Sequence, residues 1–312
     1  MKIIFMGTPD FSVPSLKAID DHFGVNLVIT QPDKPKGRGK KLQPSAIKQE
    51  ALNRNLKVLQ PLKLRNDQDV IDEMKALEPD FIVVVAYGQI LSEEVLNIPK
   101  YGSINLHASL LPKLRGAAPL NFALMEGHKI SGSTTMLMDK GLDTGDMLLK
   151  QEVNLHDEMN VEELHDALSE NGGDLLIRTM EGLVEGAITP IKQIDEESTY
   201  APLLTKENME IDWTRSAKEI NQKIRGLSPY PGAFTYSEKD KVKILQAKVE
   251  EGSTGNSPGE ILNVSPDGIL VATGEGALLI VKMQMPGKKA MMIDTYLNGN
   301  SFSVTNFKRS DE

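Results

Sequence analysis

The chain has 312 residues, of which 40% are hydrophobic and 25% charged, and its formal net charge at pH 7 is −9. This length exceeds what one hydrophobic core usually organises, so two domains are expected, and the composition excludes a disordered or fibrous protein. Because the chain contains no cysteine, disulfides, thiolate nucleophiles and cysteine-ligated zinc or iron–sulfur sites are excluded. A chain without cysteine suits a reducing compartment, and a cytoplasmic location is expected.

Short apolar segments alternate with helical patterns over the first 200 residues. Strands are predicted at 3–7, 26–31, 57–60, 81–86, 103–107 and 130–138, and helices at 13–21, 45–54, 67–77 and 92–96. This alternation favours βαβ units, so we predict an α/β domain with a Rossmann-like, doubly wound, mostly parallel sheet. A long helix over 161–184 is predicted to break at Gly172 and Gly173. The apolar run 81–86 is too short to cross a membrane, and no membrane partner is expected.

The pattern changes after residue 192. Residues 193–206 are polar and acidic, which predicts a linker. A helix follows at 217–224, and short segments at 243–248, 259–264, 268–272 and 277–283 are typical of a small β barrel or sandwich. We therefore expect a first domain over 1–192, a linker over 193–206 and a small C-terminal, OB-like β-barrel domain over 207–312.

Charge is distributed unevenly along the chain. Residues 206–312 carry 14 basic and 14 acidic side chains, so the acidic excess lies in residues 1–205. Within that acidic part, residues 31–48 have a net charge of +5, because Asp33 is the single acid among Lys34, Lys36, Arg38, Lys40, Lys41 and Lys48. Such an island can bind a phosphate backbone locally, although a solvated lysine loop would have the same composition. Its prolines and glycines predict a mobile loop.

Asn105 and His107 are candidate catalytic residues at the end of the strand predicted over 103–107. Residues i and i+2 of an extended strand point to the same side, so these two side chains are expected to project together. An amide N–H and a protonated imidazole can both donate to an oxygen that gains negative charge during acyl transfer. A structural Asn/His pair in the core is the alternative.

Asp143 lies between Gly141 and Gly145, in a loop. From there its carboxylate could approach His107 and keep the imidazole protonated and oriented, although a simple turn residue is the alternative. Residues 7–10 follow the first strand without the spacing of a dinucleotide loop, and the sequence has no Walker or H-E-x-x-H motif. Neither a dinucleotide cofactor nor a metal is expected.

Together these segments resemble the folate-dependent formyltransferases. The resemblance is carried by Asn105-x-His107-x-Ser109-Leu110-Leu111-Pro112 and by Gly141-Leu142-Asp143-x-Gly145. Further similar segments narrow it to the methionyl-tRNA formyltransferase branch of that family, and they extend over essentially the whole chain. They are residues 5–11, 32–41 and 115–119, then 211–213, 224–226, 229–234 and 296–299 in the second domain.

The resemblance implies a reaction and a set of site residues. Asn105, His107 and Asp143 fall on the family's catalytic positions, and its folate-binding segment falls on Ser109, Leu110, Leu111 and Pro112. The donor would be N10-formyltetrahydrofolate, used without a metal, and the acceptor would be the α-amino group of charged initiator tRNA. The tRNA would bind the second domain and the basic residues Lys34, Lys36, Arg38, Lys40 and Lys41. A monomer is expected.

One position departs from the family's pattern. Leu114 stands where members often carry an aromatic residue, and it is expected to touch no proposed catalytic group.

Three other functions remain open on the sequence. A formyltransferase acting on a sugar amine or on glycinamide ribonucleotide would not need the basic segment or a tRNA-type second domain. A hydrolase with Ser109 as nucleophile and His107 as base would be expected to have a G-x-S-x-G motif, which does not surround Ser109. A non-catalytic RNA-binding module would leave Asn105, His107 and Asp143 with structural roles.

Overall fold

The structure is a computed structural model that describes residues 1–36, 41–238, 240–250, 252 and 255–310, without the side chains of Lys36 and Lys41. The chain forms two compact units. The first consists of Met1–Ala117, Ile130–Val153 and His165–Ala201, and the second of Ala118–Lys129, Asn154–Leu164 and Pro202–Glu312.

The first unit is built on a seven-stranded sheet. In chain order the elements up to residue 201 are β1 (Ile3–Gly7), α1 (Val13–Phe23), β2 (Leu27–Ile29), β3 (Lys34–Lys36), β4 (Lys41–Gln43), α2 (Ala46–Asn53), β5 (Val58–Leu59), α3 (Gln68–Leu77), β6 (Phe81–Val85), α4 (Glu93–Leu96), β7 (Ser103–His107), β8 (Arg115–Gly116), α5 (Pro119–Met125), β9 (Ile130–Leu137), β10 (Met147–Asn154), α6 (Val161–Val184) and β11 (Tyr200–Ala201). The sheet order is β10-β9-β7-β6-β1-β2-β5, and α5 belongs to the second unit.

The strands of this sheet are mostly parallel. β5, β2, β1, β6 and β7 run in one direction, whereas β9 is antiparallel to β7. Every residue of β1 and β6 is buried, as expected for apolar strands that are covered on both faces. The predicted doubly wound fold is confirmed. The predicted helix starts are confirmed too, because Ser45 and Asp67 cap α2 and α3 by accepting from the backbone N–H of Lys48 and Val70.

The helix α6 runs without interruption over Val161–Val184, so the predicted break at Gly172 and Gly173 is wrong. A Cβ on Gly172 would lie 2.5 Å from Leu106 Cδ2, and a Cβ on Gly173 would lie 2.5 Å from the Cβ of Ala18. The two glycines therefore let the helix approach β7 and α1 closely. This packing offsets their low helix propensity, about 1 kcal/mol each relative to alanine.

The basic segment forms a hairpin where a loop was predicted. β3 pairs with β4 in antiparallel register, Lys34 opposite Gln43 and Lys36 opposite Lys41. Pro35 cannot donate a ladder hydrogen bond, but a two-stranded ribbon has open edges where this donor is not needed. Residues 37–40, which include Arg38 and Lys40, lie outside the described residues.

The second unit contains one antiparallel sheet that curls towards a barrel, as predicted. After residue 201 the elements are α7 (Lys206–Met209), α8 (Ala217–Leu227), β12 (Ala233–Ser237), β13 (Asp240–Glu250), β14 (Ile261–Ser265), β15 (Gly268–Ala272), β16 (Ala277–Gln284), β17 (Met291–Met292), α9 (Ile293–Leu297) and β18 (Phe307–Lys308). The sheet order is β14-β15-β16-β13-β12-β18, with β17 paired to β16. Its two ends meet, because Ile261 N donates to Thr305 O at 2.8 Å and Phe307 N to Gly259 O at 2.9 Å.

The helix α8 closes one side of this curled sheet. Ile220 and Ile224 belong to the same buried cluster as Ile244 of β13 and Ile280 of β16. The helix also packs against α5, where Asn121 Nδ2 donates to Gly226 O at 2.7 Å. The capping box formed by Ser216 and Glu219 fixes the start of α8.

Within the described ranges, no helix is long and apolar enough to cross a bilayer. Over the same residues, no group of three or more histidine, aspartate or glutamate side chains is placed to hold a metal ion.

Candidate active site

Asn105 and His107 lie at the carboxyl end of β7, in the strand that the sequence predicted. Asn105 is opposite Val84 of β6 and Met136 of β9, and His107 is opposite Thr134 of β9. The side chain of Asn105 is half-buried and makes no hydrogen bond to any described residue. Its amide is therefore available to a bound group at the edge of the sheet, where open α/β sheets place their sites.

The imidazole of His107 is held by a main-chain carbonyl. The side chain is 6% exposed, and Nε2 lies 3.0 Å from Leu114 O. A carbonyl oxygen can only accept, so Nε2 carries a proton in this arrangement. The other ring nitrogen, Nδ1, lies 3.6 Å from Asp143 Oδ2, within ion-pair distance but longer than a direct hydrogen bond. Nδ1 is thus the nitrogen that can gain or lose a proton during a reaction.

Asp143 reaches His107 from a tightly bent loop. Its backbone has a φ of 55°, in the left-handed region that aspartate tolerates better than most residues. Gly145 follows it closely, and a Cβ there would overlap Leu137 O. The carboxylate accepts a hydrogen bond from Gly116 N to Oδ2 at 2.8 Å. The structure therefore brings the three predicted catalytic residues to one edge of the sheet, with Asp143 against His107.

Leu114 is directly connected to this group, so the expectation that it touches no proposed catalytic residue is wrong. Its carbonyl accepts from His107 Nε2, and its N–H donates to Thr199 Oγ1 at 2.9 Å. Leu114 is buried with a φ of 58°, an unusual conformation for a bulky residue that both hydrogen bonds help to hold. The contact is made by main-chain atoms of Leu114, so it could not be predicted from the type of side chain at this position.

The segment predicted to bind folate forms the turn after β7. Leu110 and Pro112 are half-buried, whereas Ser109 and Leu111 are buried. Thr134 Oγ1 donates to Ser109 O at 2.7 Å and accepts from Leu111 N at 3.1 Å, which fixes the turn. Ser109 and Leu111 therefore hold the turn from within, and the partly exposed side chains of Leu110 and Pro112 are the ones that a ligand can reach. The Ser109 hydroxyl donates to Lys113 O at 2.6 Å, which is unfavourable for a nucleophile paired with His107.

Sequence reasoning gave no role to Gln193 or to Arg115. Arg115 is 1% exposed, and its Nε donates to Gln193 Oε1 at 3.0 Å. Gln193 Nε2 donates to the carbonyls of Asp143 and Gly145, each at 2.8 Å. The segment 193–201 thus packs on the Asp143 loop, and β11 pairs in parallel with β8. Arg115 was part of a recognised motif, but Gln193 gave no signal because its partners are distant in sequence.

The residues predicted to bind tRNA lie on the hairpin or outside the described residues. Lys34 Nζ donates to Gln31 Oε1 at 2.6 Å. Lys36 and Lys41 are paired by their backbones, and Arg38 and Lys40 are at positions that the structure does not describe.

Asp33 pairs with the last basic residue of this island, Lys48. Its carboxylate accepts from Gln60 Nε2 at 2.8 Å and from Lys48 Nζ at 2.8 and 2.9 Å. The hydrogen bonds from Gln60 and Lys48 hold the pKa of Asp33 below its usual value. Lys48 lies on α2, outside the hairpin. Residues 34–43 themselves contain no aspartate or glutamate, so their positive charge has no acidic partner within this segment.

Two family models match the chain. The formyl transferase model matches residues 1–180, and the model of the formyl transferase C-terminal domain matches residues 203–301. Methionyl-tRNA formyltransferase from Clostridium perfringens (strain 13 / Type A) is 55% identical over 304 residues, which cover 97% of this chain and 98% of the relative. The protein of the same name from Clostridium tetani (strain Massachusetts / E88) is 56% identical over 300 residues, covering 96% and 97%.

Solved structures share the fold at low sequence identity. An N-formyltransferase from Helicobacter canadensis, in complex with folinic acid and dTDP-3-aminofucose, has a TM-score of 0.69 at 19% identity and covers 90% of this chain and 98% of its own. Methionyl-tRNA formyltransferase from Clostridium thermocellum has a TM-score of 0.57 at 20% identity and covers 80% and 94%. These similarities concern the fold, whereas the identity above 50% over nearly the full length defines the branch. The chain belongs to the formyl transferase family, in its methionyl-tRNA formyltransferase branch.

Proposed function

We propose that this protein transfers the formyl group of N10-formyltetrahydrofolate to the α-amino group of methionyl-initiator tRNA, giving formylmethionyl-tRNA for translation initiation. The observation that carries the proposal is the contact of His107 Nδ1 with Asp143, at the sheet edge where the amide of Asn105 has no hydrogen-bond partner among the described residues. The identity with methionyl-tRNA formyltransferases over nearly the whole chain supports the choice of substrates. We also propose that the protein acts in the cytoplasm as a monomer.

The reaction is a direct acyl transfer. The amine nitrogen of the methionyl group attacks the formyl carbon, and the formyl oxygen becomes an oxyanion in the tetrahedral intermediate. Asn105 donates its amide N–H to that oxygen, and His107, protonated on both nitrogens, donates through Nδ1. Because Nε2 is bonded to Leu114 O, the ring cannot turn away from the reacting group. Donors that are fixed before the reaction stabilise the developing charge without having to reorganise.

Asp143 balances the protons. Its Oδ2 accepts from Gly116 N, whereas Oδ1 has no hydrogen-bond partner among the described residues. The attacking amine loses a proton, which the carboxylate takes up directly or through water. The carboxyl group of Asp143 then gives this proton to N10 of the folate as the bond between N10 and the formyl carbon breaks, so tetrahydrofolate leaves and the carboxylate is restored. No covalent enzyme intermediate and no metal are required.

The two substrates are bound by different parts of the chain in this proposal. Residues 1–192 carry the reaction, and the folate donor lies against the turn 109–112. The tRNA is held by residues 207–312 and by the basic residues Lys34, Lys36, Arg38, Lys40 and Lys41. Positive charge without an acidic partner in the hairpin favours a phosphate backbone over a small amine. This charge, together with the second unit, distinguishes the proposal from a sugar-amine or glycinamide ribonucleotide formyltransferase.

The proposal is tested by offering the purified protein N10-formyltetrahydrofolate with a labelled formyl group and three acceptors in turn. These are methionyl-initiator tRNA, a dTDP-linked amino sugar and glycinamide ribonucleotide. We expect label to enter the tRNA fraction, in an amide bond to methionine, and neither small amine to be formylated at a comparable rate. Faster formylation of a small amine, or release of free formate with every acceptor, would contradict the proposal.

A further inference from the structure

We infer that Gln193 is a positioning residue for the reaction, because it holds the loop from which Asp143 reaches His107. The inference rests on the proposed function, since it assigns to Gln193 an effect on catalysis that passes entirely through Asp143.

The amide of Gln193 makes three hydrogen bonds, to three different residues. Gln193 is 7% exposed. Its nitrogen donates to the carbonyls of Asp143 and Gly145, both at 2.8 Å, and its oxygen accepts from Arg115 Nε at 3.0 Å. A buried amide with all these groups engaged has one favoured orientation, because rotating it would leave buried donors and acceptors without partners.

The position of the Asp143 carboxylate depends on that contact. The left-handed backbone of Asp143 is less favourable than an ordinary conformation and persists only where neighbours enforce it. Gly116 N holds the carboxylate, and Gln193 holds the carbonyl of the same residue. Without the hydrogen bond from Gln193, the Asp143 carboxylate is held by Gly116 N alone and can rotate about that contact. A displacement of about 1 Å at a reacting group can cost on the order of 10²-fold in rate.

Arg115 takes part in both arrangements that hold Asp143, the one through Gln193 and the one through Gly116. Its side chain supplies the donor that orients Gln193, and its backbone leads directly into Gly116, whose N–H binds Asp143. The guanidinium is almost completely buried and reaches solvent at Asp195, whose side chain is 80% exposed and accepts from Nη2 at 2.9 Å. Asp195 therefore binds the same arginine without a hydrogen bond or ion pair to the described residues of the Asp143 loop, which makes it a matched control position.

Three variants separate the contacts. Gln193→Glu keeps the size of the side chain and the acceptor for Arg115, but it places carboxylate oxygen against the two carbonyls of the loop. Gln193→Leu removes all three hydrogen bonds. Asp195→Asn changes the exposed end of the arginine only. We expect kcat for formyl transfer to fall about 10- to 100-fold in both Gln193 variants. We expect KM for the folate and the tRNA to stay within about twofold, and Asp195→Asn to match the unaltered protein.

A double-variant comparison tests whether Gln193 acts through Asp143. In the Asp143→Ala background, Gln193→Leu should lower kcat by less than about twofold, because the group that it positions is already absent. The ring ¹⁵N signals of His107 provide a second readout: in Gln193→Glu they should move towards those of the Asp143→Ala protein. If Gln193→Leu does not fold, the Glu variant, which differs from Gln by one non-hydrogen atom, is combined with Asp143→Ala instead.

The outcomes distinguish this inference from the proposed function. If the Gln193 variants retain the kcat of the unaltered protein, or if their cost persists in full in the Asp143→Ala background, Gln193 is not a positioning residue. If Asp143→Ala itself retains normal turnover, the proposed role of Asp143 fails, whatever Gln193 does. A loss of kcat in Asp195→Asn as large as that in the Gln193 variants would also overturn the inference, because the effect would then follow Arg115 and not the loop.

Discussion

His107 shows which parts of a site can be predicted from a sequence. The spacing of Asn105 and His107 in one strand predicts that they share a face, and the glycines around Asp143 predict a bend. By contrast, the proton on His107 Nε2 is fixed by the Leu114 carbonyl, and the Asp143 loop is fixed by Gln193. Both contacts involve main-chain carbonyls of residues that share no local pattern with their partners, so the sequence alone does not reveal them.

The two proposed oxyanion donors should affect turnover far more than folate binding. We expect Asn105→Ala and His107→Ala each to lower kcat by about 10²- to 10³-fold, the usual cost of removing one such donor, with little change in folate affinity. Ser109→Ala is the comparison in the same segment. It loses one hydrogen bond to Lys113 O, worth about 1 kcal/mol of stability, and should retain most of its activity.

Steady-state kinetics and calorimetric titration of the folate check these values. Normal turnover in Asn105→Ala or His107→Ala would return the pair to a structural role. A folded, folate-binding Ser109→Ala protein without activity would favour the hydrolase alternative.

At the scale of elements, hydrophobic periodicity predicted most strands and helices, but it predicted neither the continuity of α6 nor the pairing of β3 with β4. β1 and β6 are runs of apolar residues whose burial on both faces leaves little choice of structure. The continuity of α6 depends instead on Leu106 and Ala18, which lie in other elements and leave no room for a side chain at the two glycines. The basic hairpin depends on pairing between its own two arms, which its proline and glycine content concealed.

Gly172→Ala should destabilise the protein although alanine favours helices. The new methyl group would lie 2.5 Å from Leu106 Cδ2, next to His107, and overpacking typically costs about 1–3 kcal/mol. Asn171→Ala, at an exposed neighbouring position of α6, should be neutral or slightly stabilising. Thermal and urea unfolding of both variants measures the difference. A Gly172→Ala protein as stable as Asn171→Ala would mean that the close approach of α6 to β7 is not present.

Arg38→Ala, between β3 and β4 in the sequence, should act on the tRNA and not on the folate. A guanidinium contacts phosphate with paired hydrogen bonds, so its loss should raise KM for charged tRNA and make the salt dependence of binding shallower. Lys57→Ala, before β5, removes the same charge elsewhere and should leave KM for the tRNA unchanged. Reduced folate affinity in Arg38→Ala with normal use of tRNA would contradict the role of the hairpin.

At the scale of the whole molecule, the two compact units are interleaved along the chain. Ala118–Lys129 and Asn154–Leu164 belong to the second unit, although the residues on both sides of each belong to the first. In the second unit α5 packs against α8 through Asn121 and Gly226. Which segments pack together depends on complementary surfaces and not on local periodicity, so a sequence pattern read in chain order does not show such an arrangement.

The central claim is that a carboxylate at Asp143, held against His107, drives formyl transfer to the amine of methionyl-tRNA. Asp143→Asn keeps the size of the side chain and the acceptor for Gly116 N, but it removes the charge and the ability to take up a proton.

The most direct test is single-turnover transfer of labelled formyl from N10-formyltetrahydrofolate to methionyl-initiator tRNA by the Asp143→Asn protein. We predict a rate at least about 10²-fold below that of the unaltered protein, with the same melting temperature and folate affinity. A single-turnover rate close to that of the unaltered protein would contradict the account.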